Sequence, residues 1–553
     1  MNMKFNNQVC LYTFFTIYLF IGILIYKDYG VGIEEHFQRQ NGFYWLNYLF
    51  SNSNFDDFKS LVNIKYKEIL LKNPDLPNPD FFNFYGIAFD LPLAFIETFF
   101  ELDSSKTYFE IRHLFTFLIF FISSIYFYKI IKSRFNNNLV IFLGLFFYIS
   151  APRIFGDSFH NNKDILFLSI LTIAISYLFD LFEKTTNKKL ILFCFFSALA
   201  SSSRIMGIYL PLILMIFYFL DFLTNKFSFR DFIFKSIKIF SIFIFFLYLH
   251  YPYIWQLNIF EFDQWFKNFF YWMDIEILFN GNYYNIKYLP RSYLPVWIYI
   301  STPIFILIFF LIGIFIIGKT IFQRILRIDQ QKINKKGDLW NSNNEKKDLF
   351  VFTSFFSFFS YAIFLNVAML SGWRHFYFLH FFIIYFSVAG LSFLYPILIK
   401  KFNNKIVYII SLLIVVNLFY LNIKFHPYQS LYFVNFLNLK TKDNYQVDSP
   451  SLSRSDALKF IVENEQNNDE KIYVANASWT PMYNGKDMLS ITNQKKLVFV
   501  GQEYAQADYI YTNFIYKSDE KYNKNYNIPA NFTKIKDFKI NNILIYRIYK
   551  KIE

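Results

Sequence analysis

The chain reads VCLYTFFTIYLFIGILIY over residues 9–26 and, within ten residues of that run, Glu34-Glu35-His36-Phe37. At about 1.5 Å per residue an uncharged run of this length spans a hydrocarbon core as a helix. Two carboxylates and an imidazole thus come to the membrane surface, where aqueous and lipid-dissolved reactants meet. The run is rich in Phe, Tyr and Ile and no small-x-small cleavage site follows it, so it reads as a retained helix rather than a secretory signal.

The remainder of the chain repeats the pattern. Of 553 residues 55% are hydrophobic and 24% aromatic, and the excess is gathered in blocks of membrane-spanning length, which excludes an ordinary soluble enzyme. About eleven helices are predicted, at roughly 9–26, 109–130, 138–152, 164–182, 189–203, 205–223, 235–251, 295–317, 350–371, 375–398 and 406–423. The fold class expected is an α-helical polytopic membrane protein over residues 1–425, with a first outer loop at about 27–108. A small extracytoplasmic α/β domain is expected over 426–553.

The net charge of +14 is carried largely by alternate loops: Lys132 and Arg134; Lys184, Lys188 and Lys189; Lys226, Arg230 and Lys235; Arg324 through Lys347; Lys400, Lys401 and Lys405. That alternation is the cytoplasmic bias of membrane topology, not a nucleic-acid face. It sets the N-terminus inside and the C-terminal domain outside. Cys10 and Cys194 both fall in predicted spans, so neither a disulfide framework nor a cysteine metal site is available.

From about His426 the apolar blocks give way to short alternating runs. A helix is predicted over Ser455–Glu463, with strands over Lys471–Ala475, Lys496–Val500, Asp508–Tyr511 and Asn542–Ile548. This domain reads as a scaffold or as a cap that docks the acceptor.

The outer loops hold nearly all the polar groups suited to chemistry. Adjacent side chains diverge in any regular conformation, so Glu34 and Glu35 cannot flank one bond as a glycosidase pair does. One is expected to act as a base while the other holds partners; His36 reads as a hydrogen-bonding partner. Between two spans, Arg153 and Lys163 accompany Asp157 and Asp164 in a dense polar run, a composition suited to an anionic headgroup as well as to helix capping. Arg204 after three serines, and Arg374 with His375, add cations to the same face. No Walker A sequence, HExxH or nucleotide-binding glycine turn is present. A lipid-linked phosphate is the expected energy source rather than a nucleotide.

At these residues the chain resembles the C-type (GT-C) membrane glycosyltransferases, specifically the family-39 group that includes protein O-mannosyltransferases and the aminoarabinose transferase of lipid A. Glu34-Glu35-His36-Phe37 looks like their Asp-Glu motif in the first outer loop, with Glu where Asp is usual. Arg112-His113, Pro152-Arg153 through Asn161-Asn162-Lys163-Asp164, Trp373-Arg374-His375-Phe376 and His426-Pro427-Tyr428-Gln429 are similar to motifs of bacterial members. The resemblance covers about residues 9–450. It implies inverting transfer of a sugar from a polyprenyl-phosphate donor to a glycan, lipid or protein acceptor on the extracytoplasmic face. It further implies Glu34 as general base positioned by Glu35, and Lys163, Arg204, Arg374 and Arg153 around the donor phosphate. Arg112, His113, Asp157, Asp164, His375 and His426 would support them. No cofactor is required; a divalent metal has room near the carboxylates, although no ligand spacing demands one.

Two other readings share some of these features. A multispan transporter would place its site at mid-membrane, commonly between internal repeats, and no repeat is visible here. A polysaccharide polymerase or ligase on another scaffold would not need the acidic pair. The abundance of Phe, Ile, Asn and Lys suggests AT-rich coding and a bacterial plasma membrane.

Overall fold

A computed structural model describes residues 7–552 except 73–75, 80–83, 225, 257–262, 264–266, 268–273, 331–338, 366, 435–440, 466–470 and 517–525. Parts of the predicted outer loop 252–295 and of the basic loop 324–347 lie outside the described residues.

The protein is a polytopic helical membrane protein. Among the described residues nine helices are long and apolar enough to cross a bilayer, and Asn138–Ser150 with Pro152–His160 forms a tenth as a pair bent by 53°. Asn187–Ser203, the remaining predicted span, has 17 residues, one fewer than that test requires. It packs between Asp164–Glu183 and Phe229–His250, joined to the first by only three residues, so it returns the chain across the bundle. Asp164–Glu183 is the central helix and is buried on almost every side, as expected of a helix apolar all round.

Prolines revise two of the predicted spans. The residue before a proline is pushed into extended backbone: Ala151 has ψ 116° and Thr302 has ψ 133°. The polar run after residue 151 is therefore a helix, Pro152–His160, rather than a loop. The predicted span at 295–317 is two helices, Tyr293–Ser301 and Ile304–Gln330. Ile304–Gln330 crosses Leu379–Phe402 at a point where both backbones are bare. A Cβ on Gly313 would lie 1.8 Å from the Phe386 carbonyl oxygen, and one on Gly390 would lie 2.1 Å from that of Phe309. Small residues permit such approach in membrane bundles.

The bundle has two chemically distinct ends. At one, basic side chains pair with acids across helices: Arg134 with Asp348 (2.7 Å), Lys346 with Asp221 (2.7 Å) and Lys347 with Glu183 (2.7 Å). At the other end, the segment expected as the first outer loop holds, among the described residues, the helices Glu35–Phe50, Asp56–Lys72 and Asp90–Phe99. The C-terminal domain packs on that end.

In this domain helix Ser453–Asn464 accompanies a five-stranded sheet. Numbering strands along the chain, β1 (Glu276–Phe279) and β2 (Asn282–Asn285) form a separate hairpin. The sheet comprises β3 (Ile472–Asn476), β4 (Leu497–Phe499), β5 (Tyr509–Thr512), β6 (Phe532–Ile540) and β7 (Ile543–Lys551), in the order β4-β3-β5-β7-β6. β3 runs parallel to β4 and β5, whereas β7 is antiparallel to β5 and β6. β6 was not among the predicted strands. Its register shifts between Lys534 and Lys536, and an extra residue of this kind breaks the two-residue alternation by which a strand is recognised.

Candidate active site

Helix Glu35–Phe50 begins with six polar residues buried in the protein, Glu35, His36, Gln38, Arg39, Gln40 and Asn41. Buried polar groups require partners, and the partners fix the helix in place. Arg39 makes a two-pronged ion pair with Glu97 of helix Asp90–Phe99, at 3.0 and 2.5 Å, and its guanidinium lies 3.9 Å from the Tyr108 ring centre.

Glu34 stands at the N-terminal boundary of this helix. Its carboxylate is 35% exposed and forms an ion pair with Arg374, on a wall of a cavity open to solvent. Burial pulls the Glu34 carboxyl upward, but Arg374 and Lys163 outweigh it and hold the group below the usual carboxylate range.

Glu35 is 1% exposed but also lines this cavity. Its Oε2 accepts from the Gly32 backbone N–H at 2.7 Å and meets His113 Nε2 at 3.1 Å. The two neighbours thus divide the work: Glu34 reaches open space, and Glu35 ties the turn before it to the helix Ser105–Arg134. His36 turns away from the cavity and pairs with Asp487 of the C-terminal domain, 2.7 Å from Nε2 to Oδ2.

Arg153, at the start of the bent helix, lines the same cavity, with its guanidinium 5.1 Å from Trp297 and 5.4 Å from Phe433, a cation–π seat. Asp157 lines it too, 3.4 Å from His160. Arg204 caps the end of Asn187–Ser203 and forms an ion pair with Asp164, whose other oxygen accepts from Asn161 at 3.1 Å. His375 is buried, its Nδ1 3.4 Å from the Ala368 carbonyl. Burial, with Arg204 and Arg374 nearby, pushes its pKa well below the usual range, so it is neutral at pH 7.

Lys163 lines a second, adjoining cavity, its ammonium 3.5 Å from the Tyr85 ring centre. Of the expected supporting residues only Asp157 lines either cavity: His36, Asp164 and His375 make the contacts given above, His113 holds Glu35, Arg112 lies 4.0 Å from Asp90 and His426 pairs with Asp28 at 2.8 Å. Arg204, expected at the donor phosphate, lines neither and reaches the site through Asp164.

Residues that sequence reasoning did not single out complete the site. Asp90, on the second cavity, is raised to about 6 by burial, partly offset by Arg112 and Asn41. From the C-terminal domain, Val447, Ser449 and Pro450 close the first cavity. Arg454 is wholly buried and donates to the carbonyls of Val31 (2.9 Å), Pro481 (2.7 Å) and Ser451 (2.7 Å). The unbroken polar run at 38–41 beside a membrane span was a signal in the sequence; Asp487 and Arg454 carried none.

Among the described residues no group of three or more His, Cys, Asp or Glu side chains is arranged to hold a metal ion. The carboxylates at the first cavity face cations or histidine instead.

Residues distant in sequence and delivered by many spans meet at one end of the bundle, forming a charged cavity of the kind a membrane-embedded transferase needs. A family model described as dolichyl-phosphate-mannose-protein mannosyltransferase matches residues 91–255, a little under a third of the chain. The match supports a membrane glycosyltransferase of the C type. The matched stretch contains Arg112, Arg153, Asp157, Lys163, Asp164 and Arg204; Glu34 and Arg374 lie outside it. No individual curated protein matches the chain.

Proposed function

We propose that the protein transfers a sugar, with inversion, from a polyprenyl phosphate to a hydroxyl or amine of a glycan, lipid or protein acceptor on the extracytoplasmic face. A bacterial plasma membrane is the setting that suits this reading. The observation that carries it is the pairing of Glu34 with Arg374 on a cavity at the membrane surface, within a chain whose next outer segments match a lipid-phosphate mannosyltransferase family.

The chemistry follows from what each group can do. Donor phosphate draws on Arg374, Arg153, Lys163 and Arg204, cations suited to the negative charge that grows as the bond breaks. Arg374 and Arg204 are engaged by Glu34 and Asp164 before substrate arrives, so the phosphate must compete for them. Once Arg374 turns to phosphate, Glu34 loses its chief stabilising cation and becomes a stronger base. The acceptor oxygen or nitrogen then attacks C1 and gives its proton to Glu34. The C1–O bond to phosphate breaks with its electron pair going to the phosphate oxygen, leaving polyprenyl phosphate. Glu35 acts as a positioning residue through Gly32 and His113. None of these steps calls for a metal or other cofactor.

Purified protein in lipid vesicles with polyprenyl-phosphoryl sugars and a mixed acceptor extract tests this reading. New glycosidic product is expected, and Glu34→Gln should abolish it while inserting normally. Solute flux without a new linkage, or undiminished transfer by Glu34→Gln, would overturn it.

A further inference from the structure

Arg153 and Arg374 reach the first cavity from segments far apart in the chain, and one short helix, Tyr293–Ser301, touches the footing of both. Its residues 293, 297 and 301 are spaced by four, which puts them on one helix face, and all three are buried. The Tyr293 hydroxyl donates to the Gly372 carbonyl at 3.3 Å. The Trp373 indole N–H donates to Ser301 Oγ at 2.8 Å, and Ser301 in turn donates to the Trp297 carbonyl. Between these two bonds the Trp297 ring lies 5.1 Å from the Arg153 guanidinium. The same ring abuts the turn before Arg374: a Cβ on Gly372 would meet it at 3.4 Å and Arg153 Nη1 at 3.5 Å.

The turn held in this way is one that needs holding. Ser371 and Gly372 both adopt positive φ (56° and 75°), a backbone that serine takes up only at a cost. The two bonds from the helix fall on Gly372 and Trp373, the residues immediately before Arg374. An arginine side chain has many rotamers, so where its guanidinium points depends on how firmly its backbone is fixed. The helix is itself fixed by segments remote in sequence: Phe279 of the β1–β2 hairpin lies 4.8 Å from the Tyr293 ring, and Tyr445 lies 5.3 Å from that of Trp297.

We propose that helix Tyr293–Ser301 is a positioning strut for the first cavity. Through Tyr293 and Ser301 it sets Arg374 against Glu34, and through Trp297 it seats Arg153 beside the same turn, so that two guanidiniums stand preformed for one anionic group. Tyr293, Trp297 and Ser301 are thus positioning residues. That the anion is the donor phosphate rests on the reading given above; the strut rests on the contacts alone.

Infrared titration of the full-length protein in nanodiscs, with the Glu34 carboxyl band identified by its loss in Glu34→Gln, reads the placement of Arg374 without requiring turnover. Arg374 is the chief cation holding the Glu34 carboxyl down, so a displaced guanidinium raises its protonation midpoint. Tyr293→Phe and Ser301→Ala are each expected to raise that midpoint by about half a pH unit, the scale of one loosened hydrogen bond and a fraction of the rise in Arg374→Met. Tyr299→Phe, which removes a hydroxyl from the exposed face of the same helix, should leave it in place. Trp297→Leu, which also unseats Arg153, should weaken binding of bare undecaprenyl phosphate by about tenfold. If one of the first two variants fails to fold, the other carries the test. An unmoved midpoint in these variants, an equal rise in Tyr299→Phe, or lipid binding unweakened in Trp297→Leu overturns the strut and leaves the donor reading standing. Midpoints that move as expected in a protein that binds no polyprenyl phosphate uphold the strut and overturn the donor reading.

Discussion

Arg374 performs two tasks for Glu34: it holds the carboxylate at the cavity and keeps it ionised. Replacing it with Met leaves burial opposed mainly by Lys163, so the Glu34 pKa must rise. The acid limb of the pH profile of kcat/KM is expected to move to higher pH in Arg374→Met, together with a loss of donor affinity; an unmoved limb would show that Glu34 is not the base. The sequence made the acidic pair legible because two carboxylates beside a span are conspicuous. It could not separate their roles, since the turn at Gly32 that sends Glu35 to His113 depends on a residue 78 positions away.

Elements were legible in proportion to how local their causes are. Apolar runs located most spans within a few residues, although the one expected at 350–371 is Asn343–Phe364, seven residues earlier, and the predicted strands in the C-terminal domain recur as β3, β4, β5 and β7. The breaks were also local, set by Pro152 and Pro303, but long apolar runs masked them. β6 was hidden by its bulge, although the turn after it was readable: Asn541 and Asn542 both adopt positive φ (50° and 64°), the backbone of a two-residue type I′ hairpin. The three helices within the first outer loop were not apparent, because a buried polar face has no apolar stripe to announce it. One prediction belongs to this scale. Valine at Gly313 or Gly390 would force the crossing helices apart at backbone carbonyls. A loss of about 1–3 kcal/mol is expected from overpacking of this kind, seen as a lower unfolding temperature in detergent, with Gly318→Val, whose Cβ would meet the Phe352 ring at 3.2 Å rather than a backbone carbonyl, affected less.

For the whole molecule, the C-terminal domain supplies Val447, Ser449 and Pro450 to the wall of the first cavity and is fastened to the segment before Glu34. A Cβ on Gly30 would lie 2.4 Å from the Leu452 carbonyl oxygen, Ile33 N–H donates to Pro450 at 3.0 Å, and Arg454 grips Val31. Arg454→Met would strip three buried carbonyls of their donor, at about 1–3 kcal/mol for each left unpaired. Transfer is expected to fall by about a hundredfold through misplacement of Glu34, while binding of bare polyprenyl phosphate changes little. Asp487→Asn, which keeps a hydrogen bond to His36, should fall less. A domain that merely docks the acceptor would instead show unchanged kcat and a raised acceptor KM in Arg454→Met.

Arg454 and Val31 stand 423 residues apart, and that separation has a temporal meaning. Val31 and the acids beside it are synthesised before the guanidinium that seats them, which follows only after the intervening spans. On the proposed reading, a chain synthesised only as far as the spans would display the acidic loop without the guanidinium that seats it.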